Sequence, residues 1–123
     1  MAKKILIAED EPHMVRLITY NLKKLGHELT VANDGLEAKE ILEKEVPDLI
    51  ISDVMMPRMD GFALLEWVKS QPRLAKVPFL ILSSKGQMTD REKGNKLGAD
   101  YYVTKPFDVN ELVAKVKEIL GQA

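Results

Sequence analysis

The chain has 123 residues, 46% hydrophobic and 30% charged, which is enough for one domain with its own core and unlike a disordered segment. Eighteen basic residues against nineteen acidic ones leave a net charge of −1, without the basic excess of a nucleic-acid binder. With no cysteine there are no disulfides or thiolate metal sites, and no run approaches the ~18 apolar residues of a membrane helix. Residues 1–123 are therefore expected to form one domain in the cytoplasm, with no membrane partner and no direct nucleic-acid contact.

In chain order, the apolar pattern alternates between strand-like and helix-like. Ile5–Ala8 is the first predicted strand. Pro12 suits the first turn of a helix that runs through Val15, Leu17, Ile18 and Leu22 and stops at Gly26. Leu29–Ala32 is the second strand. Gly35 to Glu45 reads as the second helix, with Ala38, Ile41 and Leu42 on one face and Pro47 just beyond. Leu49–Ser52 is the third strand, and Asp60-Gly61 opens a third helix that turns Leu64, Leu65 and Val68 inward.

Phe79–Leu82 is the fourth strand. Thr89-Asp90-Arg91-Glu92 has the form of a capping box for a fourth helix reaching Leu97. This helix carries Gly94 and little apolar surface, so low local stability is expected of it. Tyr101–Val103 is the fifth strand. Asp108-Val109-Asn110-Glu111 then starts a fifth helix with Leu112, Val113, Val116, Ile119 and Leu120 apolar. Only Gly121-Gln122-Ala123 follow, so no output domain is expected here.

Five successive strand–helix units imply an α/β fold: a doubly wound parallel sheet flanked by five helices. The first, third and fourth strands are nearly continuous apolar runs, as strands covered on both faces should be. The second and fifth are more mixed, which suits sheet edges.

In a parallel sheet the strand ends share one edge, where ligands bind. That edge collects Glu9-Asp10-Glu11, Asp53, Ser83-Ser84 and Thr104-Lys105-Pro106. Each has a bland reading when taken alone. Acids favour a helix N-terminus, a strand-end aspartate forms turns, and a lysine before proline is commonly solvated. Together they conflict electrostatically, since two like charges ~4 Å apart cost about 4 kcal/mol at an effective dielectric near 20. Lys105 alone cannot neutralise Glu9, Asp10 and Asp53. An all-oxygen site that also serves a phosphate suits Mg²⁺. The expectation is a Mg²⁺ site beside a nucleophilic carboxylate, with Lys105 and Ser83 facing phosphoryl oxygens.

These residues resemble the receiver domain of two-component response regulators, in the manner of the single-domain chemotaxis regulators. The resemblance rests on Glu9-Asp10, Asp53 followed by Met56-Pro57 and Met59-Asp60-Gly61, Ser83, and Lys105-Pro106-Phe107. Asn33-Asp34-Gly35 with Glu37-Ala38, and Leu97-Gly98-Ala99-Asp100-Tyr101, match as well, so the resemblance runs from about Lys4 to Leu120.

The resemblance implies a flavodoxin-like sheet of order 2-1-3-4-5. It also implies a phosphorylation-dependent switch. Asp53 would accept a phosphoryl group from a histidine kinase or phosphotransfer protein. Asp10, Asp53 and the backbone carbonyl of Met55 would hold Mg²⁺, with Glu9 acting near the metal through water. Lys105 would pair with Asp53 and then with the phosphate, which Ser83 would hydrogen-bond. Tyr102 would be the aromatic switch, and Lys105-Pro106 a cis bond. Phosphorylation would shift the surface of the fourth helix, fifth strand and fifth helix to alter binding of an unidentified protein target. Met55 and Lys85 resemble positions that tune phosphoryl loss.

Within the family, the alternative is a receiver of a longer DNA-binding transcriptional regulator, which would form homodimers through that same surface. Outside it stand an aspartate-nucleophile phosphatase and a flavin-binding flavodoxin-like protein. The phosphatase needs a second acid where Met55 stands. A flavin phosphate would be repelled by Glu9-Asp10-Glu11. The switch is therefore expected to be no enzyme beyond catalysing its own phosphorylation and dephosphorylation.

Overall fold

The computed structural model describes residues 3–84, 98–105 and 108–121. Five strands, β1 (Lys4–Ala8), β2 (Glu28–Ala32), β3 (Leu49–Asp53), β4 (Phe79–Ser84) and β5 (Tyr101–Lys105), form one parallel sheet of order β2-β1-β3-β4-β5. Four helices lie among the described residues: α1 (Pro12–Lys23), α2 (Gly35–Leu42), α3 (Gly61–Ser70) and α4 (Val109–Ile119). The predicted Thr89–Leu97 helix lies outside them.

The two-residue period of the central strands builds two cores. Leu6, Ala8, Ile50, Phe79 and Ile81 point to one face and pack with Ala38 and Leu42 of α2 and Leu64, Leu65 and Val68 of α3. Ile5, Ile7, Leu49, Ile51, Leu80 and Leu82 point to the other and pack with Ile18 and Leu22 of α1 and Leu112 and Val116 of α4. Every residue of β3 is buried, as expected of a central strand covered on both sides. The mixed strands β2 and β5 are the edges.

The structure adds three local details. Of the apolar residues along α1, Leu17 is exposed, because a helix turns about 100° per residue and Ile18 and Leu22 already occupy the core-facing stripe. Helix α2 stops at Leu42, three residues before the predicted end, where the Glu43 N–H bonds to the Lys39 carbonyl and a turn begins. The connection after α3 is part of the core, since Leu74 and Val77 are buried with Phe62 against the α2–α3 side.

Helix starts are fixed by carboxylates. Glu11 caps α1 by accepting the N–H groups of His13 and Met14, Asp34 caps α2 through Glu37, and Asp60 caps α3 through Ala63. The buried His27 has a structural role: its Nδ1 lies 3.0 Å from the Lys3 N–H, which it accepts.

Candidate functional site

Glu9 follows β1 directly, Asp53 is the last residue of β3, and Lys105 is the last residue of β5. All three strands run the same way, so these residues meet at one edge. Lys105 Nζ lies 3.0 Å from Asp53 Oδ2 and 3.3 Å from Glu9 Oε1. The Glu9 side chain is fully buried, and its Oε2 accepts the backbone N–H groups of Asp10 and Glu11 at 3.1 and 3.3 Å. Asp53 is largely buried, and its Oδ1 accepts the Val54 N–H at 2.8 Å. Asp10 is exposed at the rim.

One carboxylate oxygen from each of Glu9, Asp10 and Asp53 lies within 4.8 Å of the others. Burial, and next the neighbouring Asp53, push Glu9 up from 4.5 to about 7, against the pull of Lys105. Burial alone would lower Lys105, but Asp53 and then Glu9 outweigh it and hold the ammonium above its ordinary value. Three carboxylates and one ammonium leave an excess of negative charge. Converging oxygens of this kind fit a hard divalent cation such as Mg²⁺.

The loop between β3 and α3 is seated tightly. The Gly61 N–H donates to the Val54 carbonyl at 2.8 Å. A Cβ at Gly61 would stand 2.1 Å from the Asp53 carbonyl oxygen, so only glycine lets α3 begin this close to the end of β3. Further along, Arg58 reaches back to Asp34, with Nε and Nη2 each 2.8 Å from Oδ2. The Glu37 N–H, and after it Arg58, hold the Asp34 carboxyl below its ordinary value despite burial.

The remaining expected residues are distributed as follows. Ser83 is the next-to-last residue of β4, opposite Thr104 and one residue beyond Leu82, the β4 partner of Asp53, and its side chain lies outside what is described. Tyr102 sits opposite Ile81 and packs, half-buried, on the α2–α3 side, while Tyr101 packs on the other face. Met55, two residues after Asp53, leaves its side chain 73% exposed. Lys85 and the Lys105-Pro106 bond lie outside the described residues. Trp67 is half-buried at the rim, with Lys39 Nζ 5.5 Å from its ring centre.

Two contacts had no signal in the sequence pattern. Arg58 and Asp34 are 24 residues apart, and neither spacing nor composition pairs them. Asp100, just before β5, accepts the Phe79 N–H and pairs with Lys69 of α3. A separate groove of about 480 Å³ between α1 and β2, lined by residues including Arg16, Tyr20 and Lys23, contains no carboxylate and stands apart from the acidic cluster. Among the described residues no helix is long and apolar enough to cross a membrane.

The chain matches the response regulator receiver domain family over residues 5–117. It is 43% identical over 123 residues to the alkaline phosphatase synthesis transcriptional regulatory protein PhoP of Bacillus subtilis (strain 168), covering 100% of this chain and 50% of that protein. It is 38% identical over 117 residues to the DNA-binding dual master transcriptional regulator RpaA of Synechocystis sp. (strain ATCC 27184 / PCC 6803 / Kazusa), covering 95% of this chain and 48% of that one. The chain thus spans about half the length of these curated relatives. Among solved structures, a putative response regulator from Chloroflexus aurantiacus J-10-fl superposes with a TM-score of 0.93 at 33% identity, covering 99% of this chain and 100% of that one. With the sheet order and the acidic edge already in place, the matched length gives the family: the chain belongs to the response regulator receiver domain family.

Proposed function

We propose that this domain is a signalling switch that accepts a phosphoryl group on Asp53 from the phosphohistidine of a histidine kinase or phosphotransfer protein. The observation that carries this reading is the Lys105 ammonium held between Asp53 and the buried Glu9. An Asp53 oxygen attacks phosphorus in line, the bond to the donor nitrogen breaks, and the released imidazole takes up a proton. Phosphoryl transfer demands mostly positioning and charge stabilisation. Lys105 supplies one positive charge to the transferring oxygens, and Ser83 is assigned a hydrogen bond to them.

Asp10, Asp53 and the Met55 carbonyl are the residues that would hold Mg²⁺, with Glu9 adding charge behind them. When bound, Mg²⁺ supplies further charge neutralisation at the phosphoryl oxygens. The Asp53 acyl phosphate adds roughly one to two negative charges. Lys105 and Ser83 are drawn toward it, Tyr102 turns inward, and the surface that includes β5 and α4 shifts its population toward the form that binds a protein target. The domain turns over no separate substrate, and its place is the cytoplasm.

The test is labelling by a small acyl-phosphate donor with Mg²⁺. The wild-type chain should be labelled once per molecule and Asp53→Asn not at all. Stoichiometric, lasting label on Asp53→Asn would sink the assignment.

A second reading is favoured by the relatives: both are transcriptional regulators about twice as long as this chain. On it, the domain is the receiver of a DNA-binding regulator and pairs with a second copy through a surface that includes β5 and α4. Sedimentation with and without a phosphate mimic separates the two. A monomer in both states favours the stand-alone switch, and dimerisation on phosphorylation favours the longer regulator.

A further inference from the structure

Asp34 uses its two oxygens differently. Oδ1 accepts the Glu37 N–H at 2.9 Å and starts α2, while Oδ2 receives both Nε and Nη2 of Arg58. The Asp34 side chain is only 10% exposed, so this anchor is fixed in the fold. Arg58 adopts φ 66°, a conformation that side chains rarely take. The next residue presses against the same helix start, since a Cβ on Gly35 would stand 2.1 Å from the Met59 carbonyl oxygen. The middle of the β3–α3 loop is therefore seated on the N-terminus of α2, and its two ends are held by Asp53 and Gly61. Met55 lies on the stretch between these supports.

We propose that Arg58 is a positioning residue of the phosphorylation site: clamped to Asp34, it holds the Val54–Met59 loop, and with it the Met55 carbonyl, ready to receive a divalent cation. This rests on the reading that Asp10, Asp53 and the Met55 carbonyl hold Mg²⁺. Arg58 touches neither cation nor phosphate in this role. It acts by removing the freedom of the loop, so that the cation need not order it on binding.

The experiment is calorimetric titration of Mg²⁺ into the full chain, with circular dichroism confirming that each variant is folded. Arg58→Ala and Asp34→Asn should each raise the Kd on the order of tenfold, as loss of a group that orients a metal ligand does. Asparagine still caps a helix, so Asp34→Asn keeps the start of α2 while weakening the clamp. The double variant should bind no more weakly than either single one, because both remove one interaction. Arg58→Lys should recover part of the affinity. Arg58→Gly relieves the backbone at φ 66° yet lacks the clamp, and should bind as weakly as Arg58→Ala. A structural role alone would instead restore binding in the glycine variant.

Kd values within about twofold of wild type for Arg58→Ala and Asp34→Asn, or fully additive effects, would overturn the proposal. A wild-type chain that does not bind Mg²⁺ would overturn the Mg²⁺ reading itself, which a wild-type chain that binds as well as its Arg58 variants would leave standing.

Discussion

Lys105 Nζ, at the end of β5, lies 3.0 Å from Asp53 Oδ2, at the end of β3, although β4 runs between the two strands. The contact spans the sheet because both residues stand at its C-terminal edge, and Glu9 completes it from β1. Lys105→Met leaves two crowded carboxylates without their ammonium. Loss of a charge-assisted contact of this burial is expected to lower stability on the order of 2 kcal/mol in metal-free buffer, read by urea unfolding. The same variant should bind Mg²⁺ more tightly than wild type, because a competing positive charge has gone, while losing phosphorylation. Unchanged stability together with unchanged Mg²⁺ affinity would show that the contact has no energetic weight.

The raised Glu9 value makes a prediction about pH. Folded Glu9 titrates near 7 and the ordinary side chain near 4.5. Between those values the folded state holds a proton that the unfolded chain releases, so stability falls as pH rises through this window and levels off above it. The full contribution is on the order of 3 kcal/mol. Lys105 is shifted upward as well, but its contribution is lost only above its ordinary value of 10.5 and leaves this window untouched. Glu9→Gln should remove the slope, so the stability difference between variant and wild type should grow from pH 4.5 to 7.5 in the absence of metal. A difference that stays constant with pH would contradict the buried, proton-holding Glu9.

Gly61→Ala tests how closely α3 approaches Asp53. The added methyl would meet the Asp53 carbonyl oxygen 2.1 Å away and the Asp53–Val54 backbone behind it, which is no flexible side-chain end that could swing aside. The expected cost is about 1–3 kcal/mol, in the range of overpacked cores, with slower labelling of Asp53 by a small phosphodonor. Wild-type values for both stability and labelling rate would mean that the loop can yield.

Met55 carries an apolar, exposed side chain two residues beyond Asp53. It cannot orient a water toward an acyl phosphate, so a long-lived phosphorylated form is expected. Met55→Asn should shorten that lifetime on the order of tenfold, followed by loss of label after removal of the donor. An unchanged lifetime would count against this role.

Arg58 offers a test of backbone strain that is independent of metal. Its ion pair is more than half exposed on the arginine side, so its direct contribution to stability is small. The left-handed backbone costs an L-residue about 1–2 kcal/mol, which glycine avoids. Arg58→Gly should therefore be more stable than Arg58→Ala by about 1 kcal/mol, measured by thermal or urea unfolding. Equal stability would mean that the loop relaxes out of φ 66° once the arginine is removed.

Much of this fold was legible before any coordinates. The continuous runs of β1, β3 and β4 mark central strands, the mixed runs of β2 and β5 mark edges, and Asp60 and Asp108 announce helix starts that the structure contains. These are short-range signals, set by side-chain period and by capping chemistry within a turn. Leu17 escaped the same logic because an apolar residue one position from the core stripe points about 100° away from it. Leu74 and Val77 escaped because a buried connection has no period to read.

The site divides along the same line. The sequence by itself determined which chemistry could gather at the sheet edge, since parallel strands that end in Glu9, Asp53 and Lys105 must bring acids and an ammonium together. Only the tertiary structure decided how the three successive acids share the work. Glu9 turns inward to full burial, Asp10 stays at the rim, and Glu11 caps α1. It alone also joined Arg58 to Asp34 across 24 residues and Lys105 to Glu9 across 96. Burial and pairing over such separations depend on where whole strands and loops come to rest, which no local pattern of residues encodes.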